Sequence, residues 1–265
     1  MSAVVIDGGI VHYEAFGRGW PILFLHGWLG SWRYWMSSME SVSDKYRTYA
    51  LDLWGFGDSD KSEDRCNLAE YVALLDNFVQ NMGIGQAPIV GHSLGAMIAL
   101  EYAVHHPDRV NKIMAVSLPI GEESINRNLV DFANNSMLAK MRWWRQITHP
   151  EVTKEVEKTN KEAITLSMQS VAEVDVSSRI QSLGQWNEAM LLMVYGEKDD
   201  IIDPDPMRNL DGQWSNIRPI GLADSKHFPM LEQTAKFNRL LREFLEIEGD
   251  LAKLELKEEW RRRTR

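Results

Sequence analysis

Cysteine is nearly absent from this chain: Cys66 is the single one among 265 residues. A lone thiol closes no intrachain disulfide, so the fold cannot lean on oxidative cross-links. The chain also opens without a charged start leading into an apolar run and a small-residue cleavage site, which sets the expectation of a cytoplasmic protein. Long hydrophobic runs are missing too. The longest strongly apolar stretch, Ala189 to Tyr195, falls far short of the roughly 20 residues that span a bilayer, so no membrane span is expected. Positive charge is in deficit. Lys+Arg 29 against Asp+Glu 38 leaves a net charge of -9, the wrong sign for binding a phosphate backbone, and nucleic acid is excluded as a partner. No internal repeat and no low-complexity tract is found, and 44% hydrophobic with 25% charged residues excludes disorder and fibre.

What is present is alternation. Val4–Asp7 and Val11–Phe16, separated by Gly8-Gly9, read as a hairpin. Short apolar runs follow at Ile22–Leu25, Arg47–Leu51, Ala87–Val90, Lys112–Ser117, Met190–Tyr195 and Asn216–Ile220. Between them the 3.6-residue period predicts helices over Trp32–Ser43, Leu68–Met82, Leu94–His105 and Phe228–Glu246. Continuously apolar strands taking turns with helices imply a mostly parallel sheet covered on both faces, entered through an antiparallel hairpin. From Ile120 to Trp186 no buried strand is visible and the pattern reads as helices, Asn128–Arg145 and Pro150–Val171. A stretch of that length without structure of its own would be unusual, so 120–186 is expected to be a helical cap inserted into a core of 1–119 and 187–265. The basic end, Trp260 to Arg265, reads as a solvated helix end, and an oligomer is not indicated.

The chemistry centres on Gly91-His92-Ser93-Leu94-Gly95, between a predicted strand and a predicted helix. A serine on a sharp strand-to-helix turn needs very small residues two before and two after it, and Gly91 and Gly95 supply them. Such a turn lifts the hydroxyl over the carboxyl end of the sheet, facing the positive end of a helix. Ser93 is the candidate nucleophile. A serine hydroxyl needs a base within reach and a third group to orient that base. Of seven histidines, His12, His92, His105, His106 and His149 have structural explanations, as hairpin, elbow or helix-end residues. His227 instead follows the last strand, in a loop able to reach over the sheet. The strand Met190–Tyr195 runs into Gly196-Glu197-Lys198-Asp199-Asp200, where Asp199 or Asp200 is the candidate acid.

These motifs, in this order, resemble the α/β-hydrolase superfamily over almost the full length. Besides the elbow there is His26-Gly27-Trp28-Leu29-Gly30, similar to the family's oxyanion loop. Asp52-Leu53-Trp54-Gly55-Phe56-Gly57-Asp58-Ser59 is similar to its Asp-x-x-Gly-x-Gly-x-Ser segment, and Gly196-Glu197-Lys198-Asp199 and Lys226-His227-Phe228 to its acid and histidine segments. The resemblance implies an eight-stranded sheet with an antiparallel second strand and a cap after the sixth. It also implies Asp199 as the acid, with Asp200 the fallback, and the backbone N–H groups of Trp28 and Leu94 as oxyanion donors. Gly27 and Gly30 let that loop bend close to substrate, and His26 is expected to brace it.

Haloalkane dehalogenases and epoxide hydrolases of the superfamily carry an aspartate at the elbow, which Ser93 argues against. The expected activity is hydrolysis of a small or medium apolar carboxylic ester through an acyl-enzyme, without metal or organic cofactor. Trp28, Trp54, Trp143 and Trp144 are the candidates for an aromatic pocket wall. Serine carbon–carbon hydrolysis, with Arg142 and Arg145 as cationic contacts, perhydrolysis, and slow-turnover ligand sensing are the alternatives. Cys66 is given no role.

Overall fold

A computed structural model describes residues 2–126, 149–156, 158–186 and 189–254. Its centre is an eight-stranded sheet in the order β1-β2-β4-β3-β5-β6-β7-β8. The strands are β1 (Ser2–Ile6), β2 (Gly9–Phe16), β3 (Trp20–Leu25), β4 (Tyr46–Leu51), β5 (Ile89–His92), β6 (Lys112–Val116), β7 (Met190–Gly196) and β8 (Ile217–Leu222). β2 runs antiparallel to both β1 and β4. From β4 across to β8 every pairing is parallel. The hairpin turns one residue earlier than the glycine pair suggests. Ile6 pairs with Gly9, and Asp7 (φ 48) and Gly8 (φ 78) form the two-residue turn, both left-handed as a twist-matched hairpin turn requires.

Helices cover both faces. A 3-10 turn, Trp32–Trp35, leads into α1 (Met36–Val42), where the sequence suggested one continuous helix. α2 (Leu68–Asn81) is capped by the Asn67 side chain, which accepts from the Glu70 N–H. α3 (Leu94–His105) is buried nearly all round, as a helix apolar on every side must be, and packs on β5 and β6. Between β6 and β7 lie α4 (Pro150–Val156), α5 (Lys161–Ala172) and α6 (Val176–Trp186). The expected helix Pro150–Val171 is thus broken, at Asn160, whose side chain caps α5 by accepting from the Glu162 N–H. The expected helix Asn128–Arg145 lies outside the described residues. α6 docks on α3, where Arg179 grips Glu101 with two hydrogen bonds of 2.8 and 3.1 Å. The final predicted helix divides into a single turn, Pro229–Glu232, and α7 (Thr234–Glu246), which packs against α1. Among the described residues no helix is long and apolar enough to cross a membrane.

Parallel strands ending on one side bring their carboxyl-end loops together, so β3, β5, β6, β7 and β8 deliver residues far apart in sequence to a single edge.

Candidate active site

Ser93 closes β5 and opens α3 with φ 50 and ψ -112. A non-glycine residue in that left-handed region is strained, and the surrounding packing holds it there. A Cβ on Gly91 would meet the Gly95 carbonyl oxygen at 2.2 Å, and one on Gly95 would meet that of Leu25 at 2.3 Å. Both elbow glycines are therefore dictated by backbone approach. The Ser93 N–H donates to the Val116 carbonyl at 2.8 Å, tying the turn to β6. The Ser93 hydroxyl is buried and makes no hydrogen bond among the described residues, so its proton is not committed to a structural partner there.

His227 stands next to this elbow. Its ring centroid lies 4.7 Å from that of His92, the residue before Ser93. Its backbone carbonyl is pinned twice, by the His92 Nε2–H at 2.9 Å and by the Ser117 hydroxyl at 3.1 Å. Its Nδ1 meets Asp199 Oδ2 at 2.9 Å. The other Asp199 oxygen accepts the N–H groups of Ile201 and Ile202, both at 2.9 Å, and the carboxylate is fully buried. Such a carboxylate favours the tautomer with its hydrogen on Nδ1, which leaves the Nε2 lone pair open. Asp200 points elsewhere, forming an exposed ion pair with Lys226 at 3.2 Å. Gly196 allows the approach of the two loops: a Cβ there would meet the Lys226 carbonyl oxygen at 2.0 Å.

The loop after β3 supplies the facing wall. His26 Nδ1–H donates to the Gly27 carbonyl at 2.8 Å, and His26 Nε2 accepts the Leu53 N–H at 3.0 Å. With both ring nitrogens used, His26 braces the loop as a neutral imidazole. Burial lowers its pKa accordingly, and lowers that of His92 well below the ordinary histidine value, with His227 adding to the effect there. Leu29 takes φ 61, and its carbonyl accepts the Tyr34 hydroxyl at 2.7 Å. Gly27 lies against the elbow: a Cβ on it would come within 2.9 Å of Ser93 Cβ. Among the described residues no backbone carbonyl accepts from the N–H of Trp28 or of Leu94.

A family described as the alpha/beta hydrolase fold matches residues 21–153. The chain belongs to that family. Among curated relatives, this α/β-hydrolase is 24% identical over 88% of its length to the pimeloyl-[acyl-carrier protein] methyl ester esterase of Vibrio campbellii, of which 98% is covered. It is 33% identical to epoxide hydrolase 4 of Mus musculus, but over only 43% of this chain and 33% of the relative. A thermophilic esterase from Thermogutta terrifontis superposes with a TM-score of 0.77 at 20% identity, over 92% of this chain and 98% of the other. Family and relatives together support a hydrolase acting on a small molecule.

The tryptophans expected around the pocket of this α/β-hydrolase separate. Trp28 is buried and hydrogen-bonds α5 through its indole, Nε1–H to Ser167 Oγ at 2.8 Å. Trp54 is occupied elsewhere: its ring packs on Gly9 of β2, and the Arg65 guanidinium lies 5.0 Å above it. A tryptophan next to a site motif in sequence is here turned into the hairpin. Trp143, Trp144, Arg142 and Arg145 lie outside the described residues. Cys66 is buried with its thiol pushed up to about 11, chiefly by burial. Among the described residues, His12, Asp52 and Asp58 have ligand atoms close enough to share a metal ion. Asp52 already accepts the N–H groups of Trp32 and Asp58, at 2.8 and 2.9 Å, and meets His12 Nδ1 at 2.9 Å, while Asp58 pairs with Arg33 and Lys158. That donor-filled set fits a structural brace, not an ion. Ser117 and Ser167 carried no sequence signal, since one serine at a strand end or inside a helix looks like any other.

Proposed function

We propose that Ser93, His227 and Asp199 form a nucleophile, base and orienting acid that hydrolyse a small or medium apolar carboxylic ester. The observation that carries this reading is the strained Ser93 elbow, its hydroxyl free of partners, beside a histidine held by a buried carboxylate at 2.9 Å. With substrate seated, the Ser93 proton passes to His227 Nε2 as Oγ adds to the ester carbonyl. The tetrahedral oxygen draws on the Trp28 and Leu94 N–H groups and on the amino end of α3. Collapse expels the alcohol, which takes the proton back from His227. Water, deprotonated by the same histidine, then releases the acid from the acyl-enzyme.

The helices between β6 and β7 are assigned as the cap of this site, with α5 reaching the oxyanion loop through Ser167. Opening of an epoxide is disfavoured by the same elbow: attack by a serine oxygen would leave an ether, which water does not readily cleave, whereas attack on an ester leaves a hydrolysable one.

Pre-steady-state turnover of p-nitrophenyl butyrate tests the reading, with Ser93→Ala beside the wild type. A burst followed by steady turnover is expected, and Ser93→Ala should lower kcat by about four decades or more. Turnover that survives Ser93→Ala would overturn it. A Ser93-dependent burst with almost no turnover would point to a ligand sensor instead.

A further inference from the structure

Ser167 sits in the middle of α5, fully buried. Its hydroxyl donates within its own helix, to the Ala163 carbonyl at 2.6 Å with the Ile164 carbonyl also in reach at 3.1 Å. The lone pairs that remain make it a fixed acceptor, and the Trp28 indole N–H uses it at 2.8 Å. The helix carrying this acceptor is itself fastened to the core without help from Trp28. The Asn160 N–H donates to the Gly55 carbonyl at 2.9 Å, and Ser170 Oγ accepts the Leu68 N–H, also at 2.9 Å. Ala163 is pressed so closely on Gly55 that a Cβ at Gly55 would lie 2.4 Å from its own. The indole is therefore held from a stationary point.

At its other end Trp28 belongs to the loop between Gly27, tight against Ser93, and the left-handed Leu29. The peptide plane before Trp28 is held on its carbonyl side, where Gly27 O accepts from His26 Nδ1–H at 2.8 Å and from the Gly30 N–H at 3.2 Å, and the Trp28 side chain anchors it on the N–H side. We infer that Ser167 is a positioning residue for the oxyanion hole: by holding the Trp28 indole it keeps the Trp28 backbone N–H aimed at the tetrahedral oxygen formed on Ser93. The inference rests on the reading of Ser93 as nucleophile. It also makes the cap part of the catalytic geometry, because α5 cannot move away without releasing the donor.

The test compares wild type, Ser167→Ala, Trp28→Phe, the double variant and Ser170→Ala. Each is measured for kcat and KM on p-nitrophenyl butyrate, for inhibition by an alkyl trifluoromethyl ketone, and for Tm. In the inhibited state Ser93 Oγ bonds the ketone carbon, its proton moves to His227, and the carbonyl oxygen becomes an oxyanion in the hole. Ser167→Ala and Trp28→Phe are each expected to lower kcat and to weaken this inhibitor by about tenfold, with KM within about twofold. The double variant should be no worse than either single one, and Ser170→Ala should keep the wild-type kcat. Unchanged kcat and inhibition in Ser167→Ala overturn the inference. So do losses that multiply in the double variant, or an equal loss in Ser170→Ala, which would indicate helix docking alone. If wild type and Ser93→Ala turn over alike, the nucleophile reading itself has failed and the inference falls with it.

Discussion

Among the described residues two buried aspartate–histidine pairs share the same local geometry, and only one stands beside the candidate nucleophile Ser93. Asp199–His227 and Asp52–His12 both join Nδ1 to Oδ2 at 2.9 Å, each with a fully buried carboxylate and a histidine side chain 6% exposed. Their surroundings differ. Asp199 and His227 come from loops after β7 and β8, at the carboxyl edge where β5 ends in Ser93. His12 lies within β2, and its pair ties that strand to the loop after β4: Asp52 N–H donates to the His12 carbonyl and the His12 N–H to Ser59 Oγ, both at 2.9 Å. Among the described residues its outer nitrogen is buried without a hydrogen bond, with the Glu14 carboxylate 3.6 Å away. An oriented imidazole is thus not in itself a catalyst. What would make one a base is a nucleophile within reach of its outer nitrogen, and among the described residues Ser93, at the carboxyl edge of the sheet, is the candidate for His227.

Removing each histidine is the strongest way to break this comparison. His227→Ala should lower kcat by about five to six decades with the fold retained. His12→Ala should leave kcat within about threefold and cost about 1–3 kcal/mol of stability, because Asp52 keeps two N–H donors but loses its third. Parallel kcat and urea-midpoint measurements decide it, and equal kcat losses would erase the distinction between the pairs. Next in size is Asp199→Asn, expected to lower kcat by up to about four decades by favouring the wrong histidine tautomer. Asp200→Asn should change kcat less than twofold, since the Asp200 carboxylate pairs with Lys226 at the surface. A larger loss in Asp200→Asn would move the orienting role.

The smallest effect concerns His26 and His92. His26 and His92 have folded-state pKa values below the ordinary 6.5, chiefly because burial disfavours the charged ring. Below that pH the unfolded chain binds protons that the folded chain refuses. Stability is therefore full above about pH 6.5 and falls as pH drops through it, by up to about 1.4 kcal/mol per pH unit for each such histidine. Urea midpoints between pH 7.5 and 5 should show this slope, and His92→Asn should flatten it. A slope unchanged by His92→Asn would mean that the His92 ring is not its source, and flat midpoints in the wild type would mean that neither ring stays neutral in the fold.

The elbow was legible because it compresses its requirements into five consecutive residues: two glycines forced by backbone approach, and a serine between an apolar run and a helical one. The order of Ser93, Asp199 and His227 was equally readable, since each follows a strand. The acid was narrowed but not chosen by residue pattern alone. Asp199 and Asp200 are adjacent, and which one turns inward depends on the hydrogen bonds that the Ile201 and Ile202 N–H groups offer. Trp54 shows the opposite failure. Its motif borders the site, yet the gap left by Gly9 in β2, more than 40 positions away, takes its ring into the hairpin. Helix breaks at Asn160 and before Thr234 were missed because apolar spacing continues across them.

The alternation of strands and helices, the sharp turn at Ser93 and the place of each candidate reactive residue at a strand end are all written in the local sequence. All of these follow from local periodicity and from backbone space that only glycine leaves. Tertiary structure alone decided which aspartate meets which histidine, which tryptophan faces α5 and which serine receives its indole. Those choices depend on the register and crossing of elements distant in the chain, whose contacts leave no mark on neighbouring residues.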